Sequence, residues 1–331
     1  MSQLQPSPAA IQATTSLIEP FQPLAQLVRE PVFSRALGAE IYTRYEFLNP
    51  VRSFKIRGAL ALVDAYAKRG GVARLVTVST GNHGSAMAFA CQQYGIPLTV
   101  GVPVDCNPNK VKLMRQFGAE LEFVGADFDE TKETIAARSY GDGVIYIEDG
   151  ADGEITTGTA TIGREILAEL PEVDVVLIPV GNGALIGGIG SAIKADRPET
   201  RIIGVQSAGA PCMTLSYNAA HVINTETADT FAGGMAVRVA IPEAVALMRE
   251  VVDEMVLVPE AELKQAMAAY AQHGSHQPEG AGCGALAAAV QLRDRLQSQT
   301  VCLIATGGNV EDAILAEISA GHHLELAEQW A

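Results

Sequence analysis

Leu75-Val76-Thr77-Val78-Ser79-Thr80-Gly81-Asn82-His83-Gly84-Ser85 passes from a short β-branched run straight into a polar loop holding two glycines. Residues 86–94 continue without Gly or Pro and read as a helix. A strand, a glycine-containing loop and a helix make the unit that turns backbone N–H groups toward an anion at a helix N-terminus. Upstream of it, 39–45 reads as a strand. Downstream, strands predicted over 97–103, 120–124 and 144–147 alternate with helices over 110–117 and 128–139. Such alternation predicts a parallel sheet with helices on its faces.

The second half repeats the pattern with other loops. A helix is predicted over 156–170, and 173–180 is the nearly continuous apolar run of a strand buried on both faces. The loop Gly181-Asn182-Gly183-Ala184-Leu185-Ile186-Gly187-Gly188 follows it. Further strands are expected over 202–206, 254–258 and 300–305, the last running into Thr306-Gly307-Gly308-Asn309. Helices fit 241–251, 260–272, 285–294 and 310–319. Residues 1–20 read as a loose leader, and 18–27 as a first short helix or turn. The expected fold class is therefore α/β, two parallel or mostly parallel twisted sheets with flanking helices meeting at a cleft. Loops at strand ends gather at one edge of such sheets, so the polar loops should converge there.

Composition narrows the function. The 331 residues are 48% hydrophobic and carry 23 basic against 38 acidic side chains, a formal charge of −15. Nucleic acid and anionic membrane surfaces lack electrostatic support as partners. No run approaches the roughly 18 apolar residues of a spanning helix, and the polar start lacks the halves of a signal peptide, so a cytoplasmic location is expected. Cys91, Cys106, Cys212, Cys283 and Cys302 are odd in number and scattered, which favours thiols over disulfides. The six histidines show no ligand spacing beside cysteines, and no metal site is expected.

Chemistry begins with Asn49-Pro50-Val51-Arg52-Ser53-Phe54-Lys55-Ile56-Arg57-Gly58. Asn-Pro breaks the chain and a helix starts just after it. Lys55 then stands in the first turn, where the helix dipole disfavours a cation. A lysine placed there is expected to be neutral, ready to attack a carbonyl and hold it as a Schiff base. The plainer reading is a stem lying along the helix with its head in solvent. The 181–188 loop suits a small phosphate ester, since it lacks the Lys-Ser/Thr ending of a nucleotide loop; it also fits simple packing. Ser79 to Ser85 offers donors for a carboxylate, or helix capping by Ser79 or Thr80. His83 is read as a satisfied polar residue with no chemistry of its own, and Thr306 as a hydroxyl at a strand tip or a cap of the last helix.

Taken together and in this order, the four stretches resemble the fold type II pyridoxal-phosphate enzymes, of tryptophan synthase β-like architecture. More narrowly they are similar to the serine/threonine dehydratase and serine racemase branch, from about Glu30 onward, and the Ser79–Gly84 loop resembles a hydroxyectoine-utilisation subgroup. The resemblance implies the cofactor pyridoxal 5′-phosphate on Lys55, Phe54 packed by its ring, and Asn82 on the ring hydroxyl. It places the phosphate on the backbone of Gly181, Asn182, Gly183, Ala184 and Leu185, Thr306 at the pyridine nitrogen and Glu279 nearby. Glu279 also reads as a helix-start carboxylate. The substrate carboxylate would sit on Ser79, Thr80, Gly81, Asn82 and His83, with Lys55 and Thr80 as the catalytic pair. Residues 1–75 with 151–331 would form a large cofactor-binding domain, and 76–150 a small mobile substrate-loop domain. A small-molecule amino acid substrate and a homodimer or homotetramer are implied as well.

The implied reaction is elimination of water from a serine- or threonine-class hydroxy amino acid, giving a 2-oxo acid and ammonia. Departures from the family pattern bear on it. Thr306 replaces the usual serine but keeps the hydroxyl. Asn182 and Ala184 interrupt a run of glycines. Thr80 replaces the serine of racemases, which argues against racemisation. The metal positions of some members fall here on Gln206, Ala210 and Cys212, so that site is expected to be absent. A racemase, a β-replacement synthase, a dinucleotide-dependent dehydrogenase and a noncatalytic phosphate binder are the competing readings.

Overall fold

The computed structural model describes residues 4–22, 26–106, 108–126 and 128–320. Ten strands form two sheets: β1 (Gln26–Arg29), β2 (Glu40–Tyr45), β3 (Arg74–Val78), β4 (Leu98–Val102), β5 (Glu120–Phe123), β6 (Val144–Ile147), β7 (Val175–Pro179), β8 (Arg201–Ser207), β9 (Glu254–Val258) and β10 (Thr300–Ala305). The larger sheet has the order β1-β2-β10-β7-β8-β9 and the smaller β5-β4-β3-β6. Every pairing is parallel except β1 with β2, so the expected fold class holds with one antiparallel edge strand. The larger sheet draws its strands from both ends of the chain.

β7 explains why its run is apolar throughout. Val175 and Leu177 enter one core cluster with Tyr270, Leu286 and Leu303, while Val176 and Ile178 enter another with Ile162, Ile189 and Met248. Alternate side chains of a strand point to opposite faces, and both faces here are covered by helices. The smaller sheet is covered by the helices Lys55–Arg69 and Asn82–Tyr94, whose Leu60, Val63 and Met87 pack with Leu75 and Val100.

Several expectations need correction. The leader is a helix, Pro8–Ile18, followed by a 3-10 turn over Glu19–Phe21. Ser7 caps it by accepting from Ala10 N–H at 3.2 Å, and Pro8 stands where its missing N–H costs nothing. Only Ile11 and Ile18 of this helix are buried, too few for an apolar stripe to be visible. The helices Pro31–Leu37, between β1 and β2, and Cys212–Ala219, after β8, are unforeseen. The helix predicted from 285 starts earlier, at Gly280, and ends at Gln291. Its glycines pack close: a Cβ on Gly282 would lie 3.0 Å from Gly307 O.

Candidate active site

The cleft between the sheets encloses a cavity of about 500 Å³. Phe54, Lys55, the 79–83 loop, Gly181, Asn182, Gly183, Leu185, Glu279 and Thr306 all line it. Ala184 does not. Its N–H is taken by Asn182 Oδ1 at 3.2 Å, so it braces the loop from behind.

Backbone pairing sets Lys55 beside Thr306. Ser53 bridges Gly307 in antiparallel fashion, Phe54 N–H donates to Thr306 O at 2.9 Å, and Gly308 N–H donates to Arg52 O at 3.0 Å. Arg52 adopts a left-handed φ of 53°, uncommon for a side chain of its size. Its guanidinium holds the same segment through Gly308 O at 2.6 Å. The helix begins at Lys55 itself, later than the Asn-Pro break suggested, because 50–54 are used in this pairing.

The nearest charged neighbour of the lysine is a carboxylate. Lys55 Nζ donates to both carboxylate oxygens of Asp149, at 2.9 and 2.6 Å. Burial raises the Asp149 pKa, but His83 and Lys55 outweigh it and bring it down to about 2. His83 has a second contact, Nε2 to Thr77 Oγ1 at 3.1 Å, and burial lowers its pKa against the pull of Asp149. It is a buried, hydrogen-bonded residue that also lines the cavity.

Asn82 is fastened at both ends: its Nδ2 donates to Glu279 Oε1 at 2.8 Å and its Oδ1 accepts from Asn309 Nδ2 at 2.7 Å. Glu279 is the N-cap of the helix Gly280–Gln291, as the alternative reading had it, and also a cavity wall. Ser79 shapes its loop from within, accepting from Gly81 N–H at 3.1 Å and Gly84 N–H at 2.9 Å. Gln206 and Cys212 are buried and engaged elsewhere: Gln206 Oε1 accepts from Thr214 N–H at 2.9 Å, and the Cys212 thiol donates to Val237 O at 3.0 Å. Ala210 is buried beside them. Among the described residues no group of three His, Cys, Asp or Glu side chains could hold a metal ion.

Residues 18–307 match the family described as "Pyridoxal-phosphate dependent enzyme". The chain belongs to that family. Among relatives of this pyridoxal-phosphate enzyme, the L-threonine ammonia-lyase of Geobacter sulfurreducens is 34% identical over 91% of this chain and 76% of its own length. The L-threonine dehydratase catabolic TdcB of Escherichia coli is 33% identical over 88% of this chain and 89% of its own. The processed threonine deaminase isoform 2 of Solanum lycopersicum superposes with a TM-score of 0.85 at 28% identity, covering 96% of this chain and 94% of that one.

The cavity fits the cofactor of the family. The helix Ala184–Asp196 starts at Gly183 without a side-chain cap bond, leaving first-turn N–H groups other than that of Ala184 for a phosphate. Gly183 has a left-handed φ of 93°, and a Cβ on Gly181 would lie 2.4 Å from Gly234 O, so both positions require glycine. Lys55 enters the same space, with Nζ 5.4 Å from the centre of the Phe54 ring.

Asp149 lies outside the four motif stretches, and Asn309 lies inside the last of them without a role implied by it; both line the cavity. For Asp149 the signal was present: Ile147-Glu148-Asp149-Gly150 leaves the end of β6 as the 79–84 loop leaves β3, and strand-end loops share an edge.

Proposed function

We propose that this pyridoxal-phosphate enzyme is an ammonia-lyase that eliminates water from a serine- or threonine-class hydroxy amino acid, releasing a 2-oxo acid and ammonia. The observation that carries this reading is the backbone pairing that brings Thr306, whose side chain is a neutral hydroxyl, beside the residue preceding Lys55. When bound, the cofactor supplies the electron-withdrawing ring that weakens the Cα–H bond of an amino acid. Thr306 would face its pyridine nitrogen. A hydroxyl cannot hold a proton there as a carboxylate can, which favours prompt loss of a β-substituent over a long-lived carbanion. The N–H groups of the 79–83 loop would bind the substrate carboxylate, with Asn82, held by Glu279 and Asn309, at the ring hydroxyl. Lys55 Nζ would take the Cα proton as a positioned base. The bulk of Thr80 on the cavity wall supports elimination over racemisation. The dehydrogenase and phosphate-binder readings lose their support with the family assignment.

The segment 76–150, which carries β6, the 79–83 loop and nearly all of β3, is proposed to move as a unit when substrate binds. A homodimer or homotetramer in the cytoplasm goes with this reading; among the described residues no helix is long and apolar enough to cross a membrane. A screen of hydroxy amino acids for ammonia and 2-oxo acid is the test. Lys55→Ala is expected to lower turnover by roughly a thousandfold or more. Full turnover in that variant, or chiral inversion and β-replacement as the sole activities of the native enzyme, would overturn the assignment.

A further inference from the structure

We propose that Asp149 is a positioning residue for the Lys55 amine, the fixed counter-charge that holds it as an ammonium while a proton is in its keeping. The proposal deepens the elimination reading and rests on it. Both oxygens of Asp149 meet Nζ, at 2.6 and 2.9 Å, and only 17% of the lysine side chain and 27% of the aspartate are exposed.

Around the pair, His83 Nδ1 lies 3.3 Å from Oδ1, and Asn182 Nδ2 donates to the Asp149 backbone carbonyl at 3.0 Å, joining the Asp149 main chain to the 181–188 loop. Gly150 follows with a φ of 89°, and a Cβ there would lie 2.6 Å from Asn182 Nδ2. Behind His83, Thr77 donates its hydroxyl proton to Ile147 O at 2.9 Å and presents Oγ1 to Nε2. The neighbouring carboxylate, Glu148, pairs with Lys132 and does not compete for Nζ. A pair this buried costs desolvation that only close, two-oxygen geometry of this kind offsets.

The chemistry uses the arrangement directly. When Lys55 Nζ takes the Cα proton it becomes a cation in a half-buried cavity, where an unpaired charge is costly. Asp149 offsets that charge without itself exchanging a proton. The electron pair of the Cα–H bond becomes the Cα=Cβ bond, the Cβ–O bond breaks, and the proton on Nζ goes to the departing oxygen as water. Lys55 is then neutral again.

The test compares Asp149→Asn and Asp149→Glu with the native chain. In cofactor-free protein, acetylation of Lys55 by acetic anhydride is followed against pH by peptide mass spectrometry. Loss of an opposite charge at this range is expected to move the midpoint for Asp149→Asn down by roughly one unit or more, with Asp149→Glu within about half a unit of native because the charge remains. In the loaded enzyme, kcat for Asp149→Asn should fall at least about tenfold with KM little changed. A midpoint in Asp149→Asn equal to the native one overturns the proposal, whatever the turnover. If no hydroxy amino acid is turned over but the midpoint shifts, the elimination reading fails while the placement of Asp149 stands. Circular dichroism of both variants separates these outcomes from misfolding, and Asp149→Glu supplies the comparison should Asp149→Asn not fold.

Discussion

Glu279 is held between Asn82 Nδ2 and the Asn309 N–H, at 2.8 and 3.1 Å, yet burial outweighs both bonds and pushes its pKa from 4.5 up to about 7. The sign follows from linkage. The unfolded chain gives up this proton near the ordinary value while the folded chain keeps it until neutrality, so the group's contribution is complete at low pH and lost as pH rises through about 7. Glu279→Gln should remove that loss: between about pH 5 and 7.5 the cofactor-free variant is expected to lose less thermal stability than native chain, read by circular dichroism melts. Equal slopes would mean that Glu279 is ionised throughout. At this scale the motif stretches hold residues that line the cavity, Lys55, Asn82 and Thr306 among them. Asp149 lies outside the four motif stretches and its partner is 94 residues away, so only the convergence of strand-end loops points to it.

The helix Lys55–Arg69 is placed by what lies below Lys55. Arg57, one turn's fraction further on, is fully buried and donates to Glu46 at 2.8 Å and to Glu165 at 2.6 Å, while Arg44 also pairs with both carboxylates. Removing one member of such a network strands a buried charge. Arg57→Leu is therefore expected to cost about 3–5 kcal/mol in urea unfolding, a loss that Arg57→Lys restores only in part because a single ammonium cannot reach both carboxylates. The same helix crosses Gly153–Glu169 at a point where a Cβ on Gly158 would lie 2.5 Å from Arg57 O. Gly158→Ala should cost about 1–3 kcal/mol by forcing the helices apart. Neither the ion network nor the crossing was legible beforehand. Apolar periodicity located the long helices and strands, but it treats a buried arginine as surface and a packing glycine as a weak helix former.

Across the whole molecule, the alternation of strands and helices made two sheets readable, since β-branched runs such as Val175–Pro179 and loops at their ends follow from local chemistry. That β1 and β2 join the sheet built mainly by the second half is a matter of long-range pairing, β2 with β10, which the alternation does not encode; only the family resemblance groups residues 1–75 with 151–331. The two sheets are joined over the cavity by Lys110 Nζ and Glu311 Oε1 at 2.9 Å, a pair a third to a half exposed. A double-mutant cycle on this pair should give a coupling below about 1 kcal/mol; the bonds of Asn82 to Glu279 and Asn309 hold the same cleft from within. A stronger joint lies at the back. Leu4 packs into the core under β7, Ile11 against Ala160 and Ala192, and Ile18 into the core of the smaller sheet, with Phe21 edge-on to Phe89 at 6.0 Å. One short segment thus packs against the cores of both sheets, as a single stitch through two cloths. Removing it is expected to lower stability while every residue that lines the cavity stays in the chain.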